Sequence, residues 1–200
     1  LKCVHCYAHA KSAPVENELS TSDGIKLIDD LAGFGAPVLL FSGGEPMMRK
    51  DLPELAGYAV KKGMRAVIST NGTLITEQAA KTLKDIGLSY VGISIDGMEE
   101  INDRFRGAKG AFNDAINGIK NCKAAGIKVG LRFTVNKYNF KEIPKIFNLL
   151  EDMEIPRVCF YHLVYAGRGS KLVEEDLSHN ETREAIDTII YNTKRLHDNG

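Results

Sequence analysis

The first seven residues, Leu1-Lys2-Cys3-Val4-His5-Cys6-Tyr7, set two cysteines three positions apart. A two-residue spacer lets both sulfurs converge on one metal or meet each other. Cys-x-x-Cys therefore serves zinc, iron–sulfur clusters and thiol–disulfide exchange alike. A cluster takes three or four thiolates, and only Cys3 and Cys6 are local. Cys122 and Cys159 stand alone in the sequence and read as buried structural cysteines. The expectation is that the chain begins inside a longer motif, with a further ligand upstream of Leu1.

Other chemistry-bearing residues recur at intervals: Ser42-Gly43-Gly44-Glu45-Pro46, Ser69-Thr70-Asn71-Gly72, Ser94-Ile95-Asp96-Gly97, Thr134-Val135-Asn136 and Tyr165-Ala166-Gly167-Arg168-Gly169. Gly43 and Gly44 let backbone approach a ligand closely. Glu45, restricted by the proline after it, can accept from an ammonium group, or the four residues can be a plain turn. Asp103-Arg104-Phe105-Arg106 is either a solvated charge cluster or the source of an arginine that clamps a carboxylate bidentately. His5 has the choice of ligating, stacking or spacing, and stacking or spacing suits it better.

The elements that would position these groups follow a regular order. After a polar stretch over 8–19, Thr21 or Ser22 caps a helix to about Ala32. Pro37–Ser42 is a continuous apolar run, the sign of a strand buried on both faces. Helices over 51–62, 76–86, 111–125 and 140–153 alternate with strands over 64–69, 89–95, 128–135 and 157–164. A polar insertion fills 98–110. A final amphipathic helix runs over 181–197, with Asn180 as its cap. A strand–helix unit about every 30 residues implies right-handed crossovers and parallel pairing. The expected fold is α/β, a partial (β/α)6 TIM-like barrel with its first strand upstream of Leu1. A doubly wound sheet is the alternative. In either, the signatures above all lie at carboxyl ends of strands, the edge that carries ligands.

The chain has 200 residues, 44% apolar and 26% charged, with 26 acidic and 26 basic side chains. That allows one domain with a sizeable core. It offers no nucleic-acid-binding face and no apolar run near the roughly 20 residues of a membrane helix. Four cysteines without a disulfide framework suit a reducing cytoplasm.

Taken together the motifs resemble the radical S-adenosylmethionine (SAM) family. Its Cys-x3-Cys-x-aromatic-Cys signature is matched in its second and third cysteines by Cys3 and Cys6, with His5 in the aromatic slot. The first cysteine would fall two residues before Leu1. The resemblance implies that residues 1–200 are a core domain holding a [4Fe–4S] cluster through Cys3, Cys6 and that upstream ligand. Gly43, Gly44, Glu45 and Pro46 then match the motif binding the SAM amino group. Ser94 and Arg106 look like its carboxylate ligands, in the branch with a C-terminal auxiliary-cluster (SPASM-type) domain, which is missing from this sequence. Asn71, His5 and Thr134 join the cofactor site, Thr134 beside adenine or ribose. The implied activity is reductive cleavage of SAM to a 5′-deoxyadenosyl radical, with an electron donor such as flavodoxin or ferredoxin.

The stretch from Phe160 to Gly169 resembles the tetrapyrrole-modifying members, those of haem d1 and of the siroheme-dependent haem route. It implies loss of side chains from a siroheme-derived tetrapyrrole. Tyr161, His162, Tyr165 and Arg168 would line the substrate pocket, with Tyr161, Leu163 and Tyr165 on one strand face and Arg168 free to swing over a propionate. Peptide-modifying maturases of the family are the alternative. From other classes, a zinc module and a thiol oxidoreductase compete for the Cys-x-x-Cys.

Overall fold

The structure is a computed structural model and describes residues 1–8, 10 and 18–198. Most of the polar stretch after Ala8 lies outside the described residues. Among the described residues five strands alternate with helices, β1 Val38–Phe41, β2 Arg65–Thr70, β3 Tyr90–Ser94, β4 Lys128–Val135 and β5 Val158–His162. Their order in the sheet is β1-β2-β3-β4-β5, and the pairs β1–β2, β2–β3 and β4–β5 are parallel. The chain divides into two compact units, one of Ala10–Ser94 with Asn113–Gly130, the other of Leu1–His9, Ile95–Phe112 and Leu131–Gly200.

In the first unit, α1 (Thr21–Gly33) is capped by Ser20, whose hydroxyl accepts from the Asp23 N–H at 3.2 Å. The cap is therefore one residue earlier than the sequence suggests. Strand β1 is a second departure. Val38 and Leu40 are each 44% exposed, so the strand is not buried on both faces. Among the described residues it has one hydrogen-bonded neighbour, β2, and a strand with a neighbour on one side only leaves part of each face uncovered. Helix α2 (Leu52–Lys61) leads into strand β2, which is buried, with Ala66 and Ile68 fully enclosed, as are Val91 and Ile93 of β3.

Two further helices fix the turn after β2. Thr76 caps α3 (Glu77–Asp85) through the Ala79 N–H. Helix α5 (Ala111–Ala124) crosses close by: its Asn121 amide donates to the Ile75 carbonyl at 2.8 Å, and Gly118 lies directly against the Gly72 carbonyl. Gly72 has φ +81°, and a Cβ there would also strike Ile93.

In the second unit, a helix replaces what the sequence offers as a polar insertion: α4 (Glu99–Arg106). Only Ile101 and Phe105 supply an apolar pair at helical spacing, which hides it. Its charges nonetheless suit a helix, with Glu99 and Glu100 in the first turn and Arg104 and Arg106 in the last, each complementing the macrodipole. It stops at Gly107 in the left-handed region, φ +64°.

The expected helix from Phe140 divides into a 3-10 turn, Phe140–Glu142, and α6 (Ile143–Asp152). Phe133 of β4 and Phe147 of α6 both pack on Phe160 of β5. Helix α7 (His179–Asp198) begins before Asn180. Ser178 caps it instead: its hydroxyl accepts from the Glu181 N–H, and the Glu181 carboxylate accepts from the Ser178 N–H. That reciprocal pair is a capping box. No helix among the described residues is long and apolar enough to cross a membrane.

Candidate functional site

Residues 3–6 form a turn closed by a long hydrogen bond, 3.4 Å from the Cys6 N–H to the Cys3 carbonyl. Neighbours fix it from outside. The Val4 N–H donates to the Phe105 carbonyl at the end of α4, at 2.9 Å. Gly107 lies against the Lys2 carbonyl, a contact that a Cβ would obstruct. Cys3 and Cys6 form no disulfide, and both are half-buried. The Arg106 Nη1 is 3.9 Å from the Cys3 sulfur.

Arg106 is only 8% exposed and pairs through Nη2 with Asp96, a fully buried carboxylate. The solvated-cluster reading of Asp103–Arg106 is thus excluded for Arg106. It also fails for Asp103, whose carboxylate accepts from the N–H groups of Gly110 and Phe112. Asp96 is the hub of this group and had no role in the sequence reading. Its Oδ1 accepts from the Thr134 N–H at 2.8 Å, its N–H donates to the Asn102 side chain, and its carbonyl accepts from Asn139. The signal was there, an acidic residue and a glycine at a strand end, but only tertiary contacts show what it gathers.

His5 lies beside the same carboxylate, Nε2 to Oδ2 at 3.4 Å, with its ring tilted on Phe105 at a centroid distance of 5.5 Å. Burial holds its pKa below the ordinary value. Asp96 opposes that shift, and Arg106 and Arg168 add to it. The imidazole is neutral at pH 7, so the aspartate's charge is met by Arg106 rather than by His5. Thr134 contributes backbone to this group, through its N–H and its carbonyl.

In the other unit, Gly43 takes φ +136° before Glu45. The Glu45 carboxylate accepts from the Thr70 hydroxyl at 2.6 Å, the Asn71 N–H at 2.8 Å and the Met47 N–H at 3.0 Å. Pro46 begins the short 3-10 turn Pro46–Met48. The Gly-Gly-Glu-Pro stretch is therefore more than a plain turn, because its acid is aimed at the end of the next strand. The Asn71 side chain is engaged locally with Thr73. Ser94 is the last residue of β3.

The expected substrate residues are placed differently from the sequence reading. Strand β5 ends at His162, so alternation does not continue to Tyr165. Leu163 is buried while Tyr161 and Tyr165 are 38% and 49% exposed, and the three do not share a face. Tyr161 stacks with the Arg132 guanidinium at 4.9 Å. The Tyr165 hydroxyl bonds the Asp176 carboxylate. Arg168 does not swing freely; its Nε donates to the Cys3 carbonyl at 2.7 Å and its N–H to the Cys6 carbonyl at 2.9 Å.

Cys122 is fully buried on α5, and burial pushes its thiol up to about 12. Cys159 is half-buried on β5. Among the described residues no group of three His, Cys, Asp or Glu side chains is placed to hold a metal ion, so a self-contained zinc site has no ligand set there. The Cys3–Cys6 pair does fit part of a cluster site: two cysteines outside any disulfide share their surroundings with an arginine. Buried atoms there also lack hydrogen-bond partners, His5 Nδ1 and Arg106 Nε. Native proteins seldom leave such atoms unmatched unless a ligand or water meets them.

The arrangement is that of a parallel α/β protein with a thiol pair in the turn over residues 3–6, and the chain belongs to the radical SAM superfamily, whose model matches residues 1–150. That family uses a [4Fe–4S] cluster and SAM. The chain is 68% identical over its whole length to Fe-coproporphyrin III synthase of Methanosarcina barkeri, covering 50% of that protein. It is 42% identical over 95% of its length to pre-heme d1 synthase of Dinoroseobacter shibae, covering 47% of that one. The chain thus spans about half the length of these relatives. Among solved structures, Streptococcus suis SuiB bound to its precursor peptide SuiA aligns over 98% of this chain and 44% of that one. The TM-score is 0.82 at 17% identity, a likeness of fold alone. The fold is the expected one, α/β with parallel strands, of the partial TIM-like barrel class.

Proposed function

We propose that residues 1–200 are the core domain of a cytoplasmic radical SAM enzyme that removes side chains from a siroheme-derived tetrapyrrole. The observation that carries the cofactor part is the buried Arg106 guanidinium beside the Cys3 sulfur, with its Nε unmatched. Cys3 and Cys6 would hold two irons of a [4Fe–4S] cluster. When bound, that cluster supplies one electron, delivered by a flavodoxin- or ferredoxin-like donor, to cleave SAM to a 5′-deoxyadenosyl radical.

The chain's own residues bind and orient. Arg106, with Ser94, receives the SAM carboxylate, and Asp96 fixes the arginine's plane. Glu45 accepts from the ammonium group through acceptor capacity left after its three existing bonds, with Gly43, Gly44 and Pro46 setting its approach. The Phe105 ring, with the His5 imidazole tilted on it, covers one side of the cysteine turn, and the unmatched His5 Nδ1 is left to meet the cofactor. Substrate carboxylates meet Arg132 beside the Tyr161 ring rather than Arg168, and His162 and Tyr165 extend the exposed polar-aromatic surface.

The tetrapyrrole reading is supported by the 68% and 42% identities to synthases of that chemistry. A peptide-modifying activity is the second reading, favoured by 30% identity, over 88% of the chain and 47% of that protein, to PqqA peptide cyclase of Granulibacter bethesdensis. The test is anaerobic: protein, SAM, reductant and a decarboxylated siroheme, with side-chain loss read by mass spectrometry. Turnover that is lost in Arg132→Ala while SAM cleavage persists supports the assignment. SAM cleavage with turnover of a peptide and of no tetrapyrrole moves the protein to the other activity.

SAM affinity is measured on Arg106→Lys and Glu45→Gln. Losing a charged hydrogen bond costs roughly 1.5–3 kcal/mol, about ten- to more than a hundredfold in affinity. Unchanged affinity in both removes these residues from the site.

A further inference from the structure

The segment after β5 touches the cysteine turn through backbone on both sides. Gly167 has φ +58°, and a Cβ there would run into the carbonyl oxygens of Tyr7 and Cys6. At Gly169 it would strike the Val164 carbonyl and approach the His5 carbonyl at 3.4 Å. Between the two glycines, Arg168 donates its N–H to Cys6 and its guanidinium Nε to Cys3, both at carbonyls.

The turn's own closing bond, at 3.4 Å, is near the outer limit for a hydrogen bond. The guanidinium reaches that same Cys3 acceptor at 2.7 Å. A bond from an ionised donor is shorter and stronger than a neutral one, so the turn is held chiefly from outside. A side chain meant to move toward substrate would need neither the glycine-lined contact nor the second bond from its own backbone.

We infer that Gly167-Arg168-Gly169 is a clamp for the two-cysteine turn, with Arg168 the positioning residue that sets where Cys3 and Cys6 present their thiols. Its consequence for metal retention rests on the cluster reading above. The clamp itself can be read without iron.

The experiment follows alkylation of Cys3 and Cys6 by iodoacetamide in metal-free protein, resolved by mass spectrometry. Buried Cys122 reports whether the fold is intact. Arg168→Ala and Arg168→Gln are expected to speed alkylation of both turn cysteines about tenfold or more, the weight of one charge-assisted hydrogen bond. Cys122 stays protected. Arg168→Lys, which keeps the charge but not the planar donor, recovers only part of the protection. Gly169→Ala behaves like Arg168→Ala.

After anaerobic reconstitution the same variants lose iron faster to a chelator. Unchanged alkylation of Cys3 and Cys6 in whichever of Arg168→Ala or Arg168→Gln keeps Cys122 protected overturns the clamp. Exposure of Cys122 in both assigns Arg168 to global folding and overturns it too. Wild-type protein that takes up no iron defeats the cluster reading instead, while the alkylation rates still decide the clamp.

Discussion

Asp96 has no solvent exposure, so its charge must be met inside the protein, and Arg106 meets it. Breaking a buried pair by removing one partner typically costs about 3–5 kcal/mol, because the other charge is left uncompensated. Arg106→Ala is therefore expected to lower the melting temperature markedly. Arg106→Met combined with Asp96→Leu should recover much of that loss, checked by thermal unfolding. This is also why SAM affinity is best measured on Arg106→Lys.

Cys122 gives a second expectation at this scale. Its thiol is raised from 9.0 to about 12 by burial, so the folded state favours the neutral form. A raised pKa contributes stability that is fully present below the unfolded value and lost as pH climbs through the folded one. Unfolding free energy should fall between pH 9 and about 12, by on the order of 4 kcal/mol from this group. Cys122→Ala should flatten that alkaline decline in denaturant titrations.

Helix α5 shows how little room an element can have. Gly118 sits directly on the Gly72 carbonyl, with Asn121 bonded to Ile75 one turn on. Gly118→Ala gains helix propensity but must push α5 off the turn after β2, and overpacking of this kind costs about 1–3 kcal/mol. A net loss of stability, with protection of the β2 amides reduced in hydrogen exchange, is expected; a stabilised variant would contradict the contact. At α7 the capping box is exposed, and Ser178→Ala is expected to cost about 1 kcal/mol. Asn180→Ala, which leaves that box intact, should be near neutral in the same melt.

For the chain as a whole, ligand and stability are linked. A group that binds the folded state and not the unfolded one stabilises by mass action. Anaerobic reconstitution should raise the melting temperature of the wild-type protein and add broad visible absorption. Cys3→Ala and Cys6→Ala should lose both increments while keeping the metal-free melting temperature. A colourless protein, or an equal rise in the cysteine variants, would place the iron elsewhere.

The strand–helix alternation was legible because buried parallel strands are short apolar runs, and their caps and glycines punctuate them: Thr76 starts α3, and β4 spans 128–135 as expected. The thiol pair and the Gly-Gly-Glu-Pro stretch were legible because their chemistry is local. Helix α4 was not, since a helix of mostly charged residues has almost no apolar stripe and forms because its ends are matched and Phe105 finds a core. The exposure of β1 was not either, because an apolar run records what a strand can bury and not how many neighbours cover it. The roles of Asp96 and Arg168 were decided by tertiary structure alone. Asp96 gathers partners from α4, β4 and the first turn, and Arg168 bonds carbonyls more than 160 positions away. Backbone acceptors carry no side-chain identity, so no residue pattern could have announced that contact.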